Sequence, residues 1–333
     1  MTALMADVPS DTATGARSVT TAAHLPVAHL QYLLHLADNA LVLGQRNAEW
    51  CGHGPVLEED IAMANISVDL IGQARMLYQH AAYLKADGST EDTLAYFRDA
   101  PDFRNFTLLE LPHRVPESVP DSVDEGGERN YAVTIVRNFF YSALMVLRWE
   151  ALRQSTDAQL AAIAERSVKE TRYHLRHSRD WLVRLGDGTP ESNAKTQAAW
   201  DHLLPYTLEF WTEFAIENEL SGQGIAVASA SLQGDWQALV NRAEVDATLT
   251  PPARHSPHVA TLAGANAVAT GLASSVAATV PATVAKSVPM SVPMSVPKVA
   301  RPPQGKHGIH SAHLEPLLTE MQSLARQHPG ATW

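Results

Sequence analysis

Asp38, Asp69, Glu170 and His174 carry side chains of the kind an oxygen-activating iron centre uses, and each lies within an apolar, helix-like segment. A carboxylate-bridged di-iron site in a helical bundle draws one Glu from each of two helices and a Glu-x-x-His pair from each of the other two. The spacing matters because residues three apart share a helix face, so one carboxylate and one imidazole reach the same metal. Such iron needs hard oxygen and imidazole donors with positions left open.

The five central helices expected below contain no Glu-x-x-His. In the second helix the nearest match is Asp69-Leu-Ile-Gly72, with glycine in place of the imidazole. In the fourth it is Glu170-Thr-Arg-Tyr173, with His174 one residue late. That offset is about a hundred degrees of helical rotation, enough to aim the ring elsewhere. Asp38 stands at mid-height of the first helix beside Leu34 and Leu41, and the third helix has no acid before Glu150. The residue types therefore predict no catalytic residue, no cofactor-binding residue and no metal in this chain. Asp38, Asp69, Glu170, His174 and Arg75 are expected instead as a vestigial, buried, ion-paired network, because buried charge is costly unless paired. In that reading Ile61 and Val68 share the inward face of Asp69, and removing Glu170 strands a buried charge. A degraded or mononuclear metal site is the competing reading.

Other reactive residues give weaker signals. His307, His310 and His313 could hold a metal, but as a run beside a low-complexity segment they are expected as a solvated loop. Cys51 lies at a turn without an acid–base pair to activate it. No Gly-x-Gly-x-x-Gly or phosphate loop is present. The aromatic third helix (Phe139, Phe140, Tyr141, Trp149) suits core packing or an interface.

The elements that position these residues are helical throughout. Leu30, Leu33, Leu34, Ala37, Leu41 and Gly44 recur at steps of three and four, one face of a first helix. Gly52 to Pro55 break it, and a second helix runs from Leu57 to Lys85, antiparallel to the first. Residues 86–130 form a long crossover containing a brief helix at Asp92–Phe97, four prolines and a polar, acidic tip. Tyr131–Arg153 is a third helix, Asp157 caps a fourth that ends near Gly186, Pro205–Leu220 is a fifth, and Asp235 caps a sixth. A crossover between two helical hairpins is ferritin-like connectivity. The fold class is all-α: residues 1–26 a disordered tail, 27–250 the bundle, 251–305 a disordered insertion with the repeat Ser287-Val-Pro-Met, and 306–333 a closing helix with Pro316 in its first turn.

Composition narrows the function. The chain has 333 residues, 45% of them hydrophobic, 18% charged, and a formal net charge of −11. That balance disfavours nucleic-acid binding and docking on anionic membranes. One cysteine excludes an internal disulfide and fits a cytoplasmic protein. No apolar run reaches about eighteen residues, so no membrane span is expected.

Several segments resemble one family closely. They are Leu43-Gly-Gln-Arg-Asn-Ala-Glu-Trp-Cys-Gly-His53, Asn65 to Arg75, Glu91 to Asp99, Lys169 to Arg176 and Gly308-Ile-His-Ser-Ala-His313. In this order they are similar to the C subunits of phenylacetyl-coenzyme A epoxidase complexes, over roughly residues 27–250 and 306–333. The resemblance implies a ferritin-like fold and a place in a multicomponent oxygenase of aerobic phenylacetate breakdown. It implies a catalytic A subunit that holds the di-iron centre, and a reductase subunit with FAD, an iron–sulfur cluster and NADPH. The C subunit is implied to be a non-catalytic structural partner of the A subunit. The alternatives are an independent di-iron oxygenase, which the missing Glu-x-x-His pairs count against, and a small-molecule-binding bundle, which the residues leave open.

Overall fold

A computed structural model of the chain describes residues 16–115, 129–251 and 303–331, with side chains from Val27 onward. The described residues up to Thr250 and from Pro303 on belong to one compact unit. The helices begin and end where local chemistry directs. α1 (Ala16–Ala48) and α2 (Leu57–Lys85) are joined by a turn in which Gly52 takes positive φ, and α2 stops where Ala86 turns left-handed. α3 (Glu91–Tyr96) starts on a Thr90–Thr93 capping box. Asn130, Asp157 and Thr189 cap α4 (Tyr131–Leu152), α5 (Ala158–Gly186) and α6 (Pro190–Leu203) through side-chain oxygens. α7 (Ala215–Ser221), α8 (Gln233–Asp246) and α9 (Leu314–Gln327) complete the set. No strand occurs among the described residues, which hold one isolated bridge between Gln304 and Ile309. No described helix is long and apolar enough to cross a membrane.

α1 packs along α2 and α4 along α5, and α2 meets α5 to join the two hairpins. α4 is the most enclosed element: Val133, Ile135, Val136, Phe139, Phe140, Leu144 and Trp149 are all buried. Each such side chain stabilises by about 1.5–3 kcal/mol relative to exposure. Its aromatic stripe belongs to the core, where Phe140 packs 4.7 Å from Trp200 and 5.9 Å from Trp236 between ring centroids.

Several expectations change. α1 begins at Ala16, inside the segment expected as a tail, because its Thr/Ala-rich start forms helix without an apolar stripe to announce it. Pro205–Leu220 is not one helix. Leu204–Trp211 winds as a 3₁₀ helix from Pro205, and α7 follows after a break at Thr212–Phe214. α6 precedes them, announced by Thr189-Pro190, a cap followed by proline at the first helical position. Asp235 lies in the first turn of α8, whose cap position is Leu232. The crossover is packed, with Phe103, Phe106, Leu108 and Leu109 fully buried, while its polar tip (116–128) lies outside the described residues.

The insertion also lies outside them over 252–302. Its expected end at 305 moves, because Pro303 and Gly305 are buried. A Cβ on Gly305 would stand 2.3 Å from the Asn105 carbonyl oxygen, so only glycine allows the chain this close to the crossover.

Candidate functional site: the mid-bundle polar positions

Asp38 lies on α1 with its side chain fully enclosed. Tyr78 of α2 donates its hydroxyl at 2.5 Å, the Arg104 backbone N–H donates at 2.8 Å, and the Arg98 guanidinium grips both carboxylate oxygens. Arg98 follows α3 on the crossover and lies over the Phe103 ring at 4.3 Å. Burial pulls its pKa down, but the Asp38 carboxylate outweighs this and holds the guanidinium charged. Burial first, then the Asp38 charge, push the Tyr78 phenol well above its ordinary value, so it remains a donor. Four donors on two oxygens leave Asp38 saturated.

The other expected members stand apart from Asp38, and of them only His174 and Asp69 pair with each other. His174 of α5 is buried, and its Nε2 lies 3.0 Å from Asp69 of α2, whose side chain is 36% exposed. Glu170 accepts from Gln73 at 3.0 Å and meets the exposed Arg166 at 3.4 Å. Arg75 points outward to Glu91 at 3.3 Å. The single buried network is therefore corrected to one buried cluster around Asp38, a half-open α2–α5 seam, and a surface pair. Rotation along α2 is the reason: Asp69 and Gln73 turn toward α5, while Arg75 turns to solvent. Ile61 (53% exposed) and Val68 (69%) face outward with Leu57 and Ile71, an apolar stripe at steps of four, seven and three.

The donor set does not fit a di-iron centre. Asp38 already carries a guanidinium on both oxygens, Asp69 and Glu170 engage different partners, and His174 serves Asp69 alone among the mid-bundle acids.

Sequence reasoning missed a second cluster, which closes the fold. Glu110 of the crossover is fully buried and accepts from Asn105, from His310 at 2.5 Å and from both the amide and hydroxyl of Ser311. Buried Glu209 accepts from the Thr107 and Lys306 amides at 2.8 and 2.9 Å. Burial pushes Glu209 up to about 7 and Lys306 down to about 8. Burial lowers His310, but Glu110 raises it further, leaving a net increase. Within the 307–313 run His310 is thus docked on the crossover rather than solvated, while His307 stays exposed. The hint in the sequence was Glu110 between Leu109 and Leu111, an acid in an apolar run.

The comparisons with known proteins agree with this architecture. Residues 15–268 match the family model described as phenylacetic acid catabolic protein. Over 302 residues the chain is 39% identical to the C subunit of the 1,2-phenylacetyl-CoA epoxidase of Escherichia coli (strain K12), covering 91% of this chain and 98% of that protein. The chain is a ferritin-like, all-α member of the phenylacetic acid catabolic protein family.

Proposed function

We propose that this chain is a non-catalytic structural subunit of a phenylacetyl-coenzyme A epoxidase, pairing with and stabilising the subunit that carries the di-iron centre. The observation that carries the reading is the saturated Asp38: the most buried of the mid-bundle acids has no lone pair directed at a metal, because Arg98, Tyr78 and Arg104 engage both oxygens. An oxygen-activating centre needs free carboxylates and open positions. A guanidinium in their midst serves packing.

The outward stripe of Leu57, Ile61, Val68 and Ile71 supports the pairing, since contiguous apolar surface on a helix marks an interaction site. The E. coli relative bears the name of one subunit of an epoxidase. In this reading the partner supplies the iron, and a reductase with FAD, an iron–sulfur cluster and NADPH supplies the electrons.

The test is co-expression with the catalytic partner of such an epoxidase, followed by separation of the chains and iron analysis of each. Iron should follow the partner, and epoxidation should require both chains. Ile61→Asp with Val68→Asp should abolish co-purification while leaving the melting temperature of the isolated chain within a few degrees. Two irons per copy of this chain, or turnover without the partner, would overturn the reading.

A further inference from the structure

Among the described residues, His29, His80 and Asp157 form a group of metal-ligand type outside the mid-bundle positions: one ligand atom from each lies within 4.8 Å of the others. They come from three separate elements: α1, the C-terminal part of α2, and the cap of α5. Asp157 divides its two oxygens. Oδ1 accepts the Gln159 and Leu160 amides as the helix cap, which fixes the carboxylate and leaves Oδ2 to face the imidazoles. His80 Nε2 lies 2.6 Å from Oδ2 and His29 Nε2 lies 2.8 Å from the same atom. The two rings stand edge-on at 85°, their centroids 5.7 Å apart.

The contact from His29 is close but unaligned. Its Nε2 is buried without a hydrogen-bond partner despite that separation. Two imidazole nitrogens from different helices thus crowd a single carboxylate oxygen, only one of them in an aligned hydrogen bond, and that convergence calls for an explanation. Two imidazoles and a carboxylate whose second oxygen is anchored by backbone amides make the donor set, and the orienting outer contacts, of a first-row divalent metal site.

We propose that His29, His80 and Asp157 bind one zinc-class divalent cation, clipping α1, α2 and α5 together at one end of the bundle. Both Nε2 atoms then serve as lone-pair donors, with each ring proton on Nδ1, and water takes the fourth position. Metal–ligand bonds of about 2.0–2.1 Å in tetrahedral geometry require the nitrogens to move away from Oδ2 by roughly 0.5–0.8 Å, which small side-chain rotations supply. The site is independent of the mid-bundle reading, because a single zinc at the bundle end and two irons at mid-height differ in count and in the variants that remove them.

The experiment strips the full-length chain with a chelator and titrates it with zinc, and with cobalt for its visible spectrum. One zinc per chain should bind, raising the melting temperature by several degrees, and the cobalt form should show the intense bands of a four-coordinate site. His29→Gln and His80→Gln should each weaken binding at least tenfold with helical content preserved. Asp157→Asn keeps a capping oxygen and should weaken it as well. X-ray absorption on the zinc-loaded wild-type chain gives a reading that needs no variant: two imidazoles are expected, and an all-oxygen shell overturns the site. No binding to the folded wild-type chain, unchanged affinity in His80→Gln, or loss only when His307 and His310 are replaced would each overturn it too.

Discussion

The two sides of α2 treat acids in opposite ways. Toward α1 and the crossover, Asp38 is sealed under Arg98, Phe103 and Arg104, with every lone pair directed at a donor. Toward α5, Asp69 and Glu170 sit in a half-open seam, each with weaker or exposed partners. The crossover makes the difference by roofing one side, and no described element covers the other. Whether an acid in a bundle acts as a structural clasp or as a surface charge therefore depends on what lies over it, and its mid-helix position does not decide this. The saturated side supports a structural role, and the stripe proposed to meet a partner faces outward from α2, away from both.

The contrast breaks most readily at Asp38. Asp38→Ala leaves the Arg98 guanidinium uncompensated inside the fold and should cost about 3–5 kcal/mol, measured as a lowered denaturant midpoint in urea. Adding Arg98→Ala should recover part of the loss, since the stranded charge disappears. If Asp38→Ala unfolds at the wild-type midpoint, the clasp is not structural.

The next effect is one of pH, where residues 303–313 dock on the crossover. Glu209 is raised to about 7 and His310 is raised above the ordinary imidazole range. For both groups the folded value exceeds the unfolded one. Their stabilisation is therefore complete at low pH and is lost as pH rises, through about 7 for Glu209. Lys306, lowered to about 8, has the opposite sign, and its contribution is lost as pH falls through that value. The melting temperature should drop by a few degrees between pH 6 and 7.5, and Glu209→Gln should flatten that slope. A profile that stays level in the wild-type chain would show that this docking does not titrate.

On the open side the effects shrink. Glu170→Ala removes one amide contact and one exposed ion pair, and should cost no more than about 1 kcal/mol by urea denaturation. This is far below the buried-charge penalty that the sequence suggested. A loss as large as that at Asp38 would erase the distinction between the two sides. Arg75→Ala, at a side chain 68% exposed, should fall within about 0.5 kcal/mol of the wild-type chain in the same assay.

Much of the architecture was legible because it rests on local signals. Asp157 and the glycines near 186 bound α5, Leu57–Lys85 is both the expected and the observed helix, and Pro316 opens the last one. α6 lies outside the expected helices although Thr189-Pro190 announces it, and Leu204–Trp211 is hard to tell from α-helix in sequence because a 3₁₀ turn also places apolar residues three apart.

The candidate site was legible only as residue types. Asp38, Asp69, Glu170 and His174 were identified by period and spacing, which a helix fixes within itself. Their partners were not, because Arg98 is 60 residues from Asp38 and His310 is 200 from Glu110. Nor could spacing bring together His29, His80 and Asp157, which belong to three helices. The sequence by itself determined the long helices α2, α4 and α5, the Asp157 cap and the absence of a Glu-x-x-His pair from the central ones. Only the tertiary structure decided which acids are saturated, which face solvent and which three donors converge. Helix formation is written in neighbours a few residues apart, whereas burial and charge pairing depend on which distant segment is laid over each position.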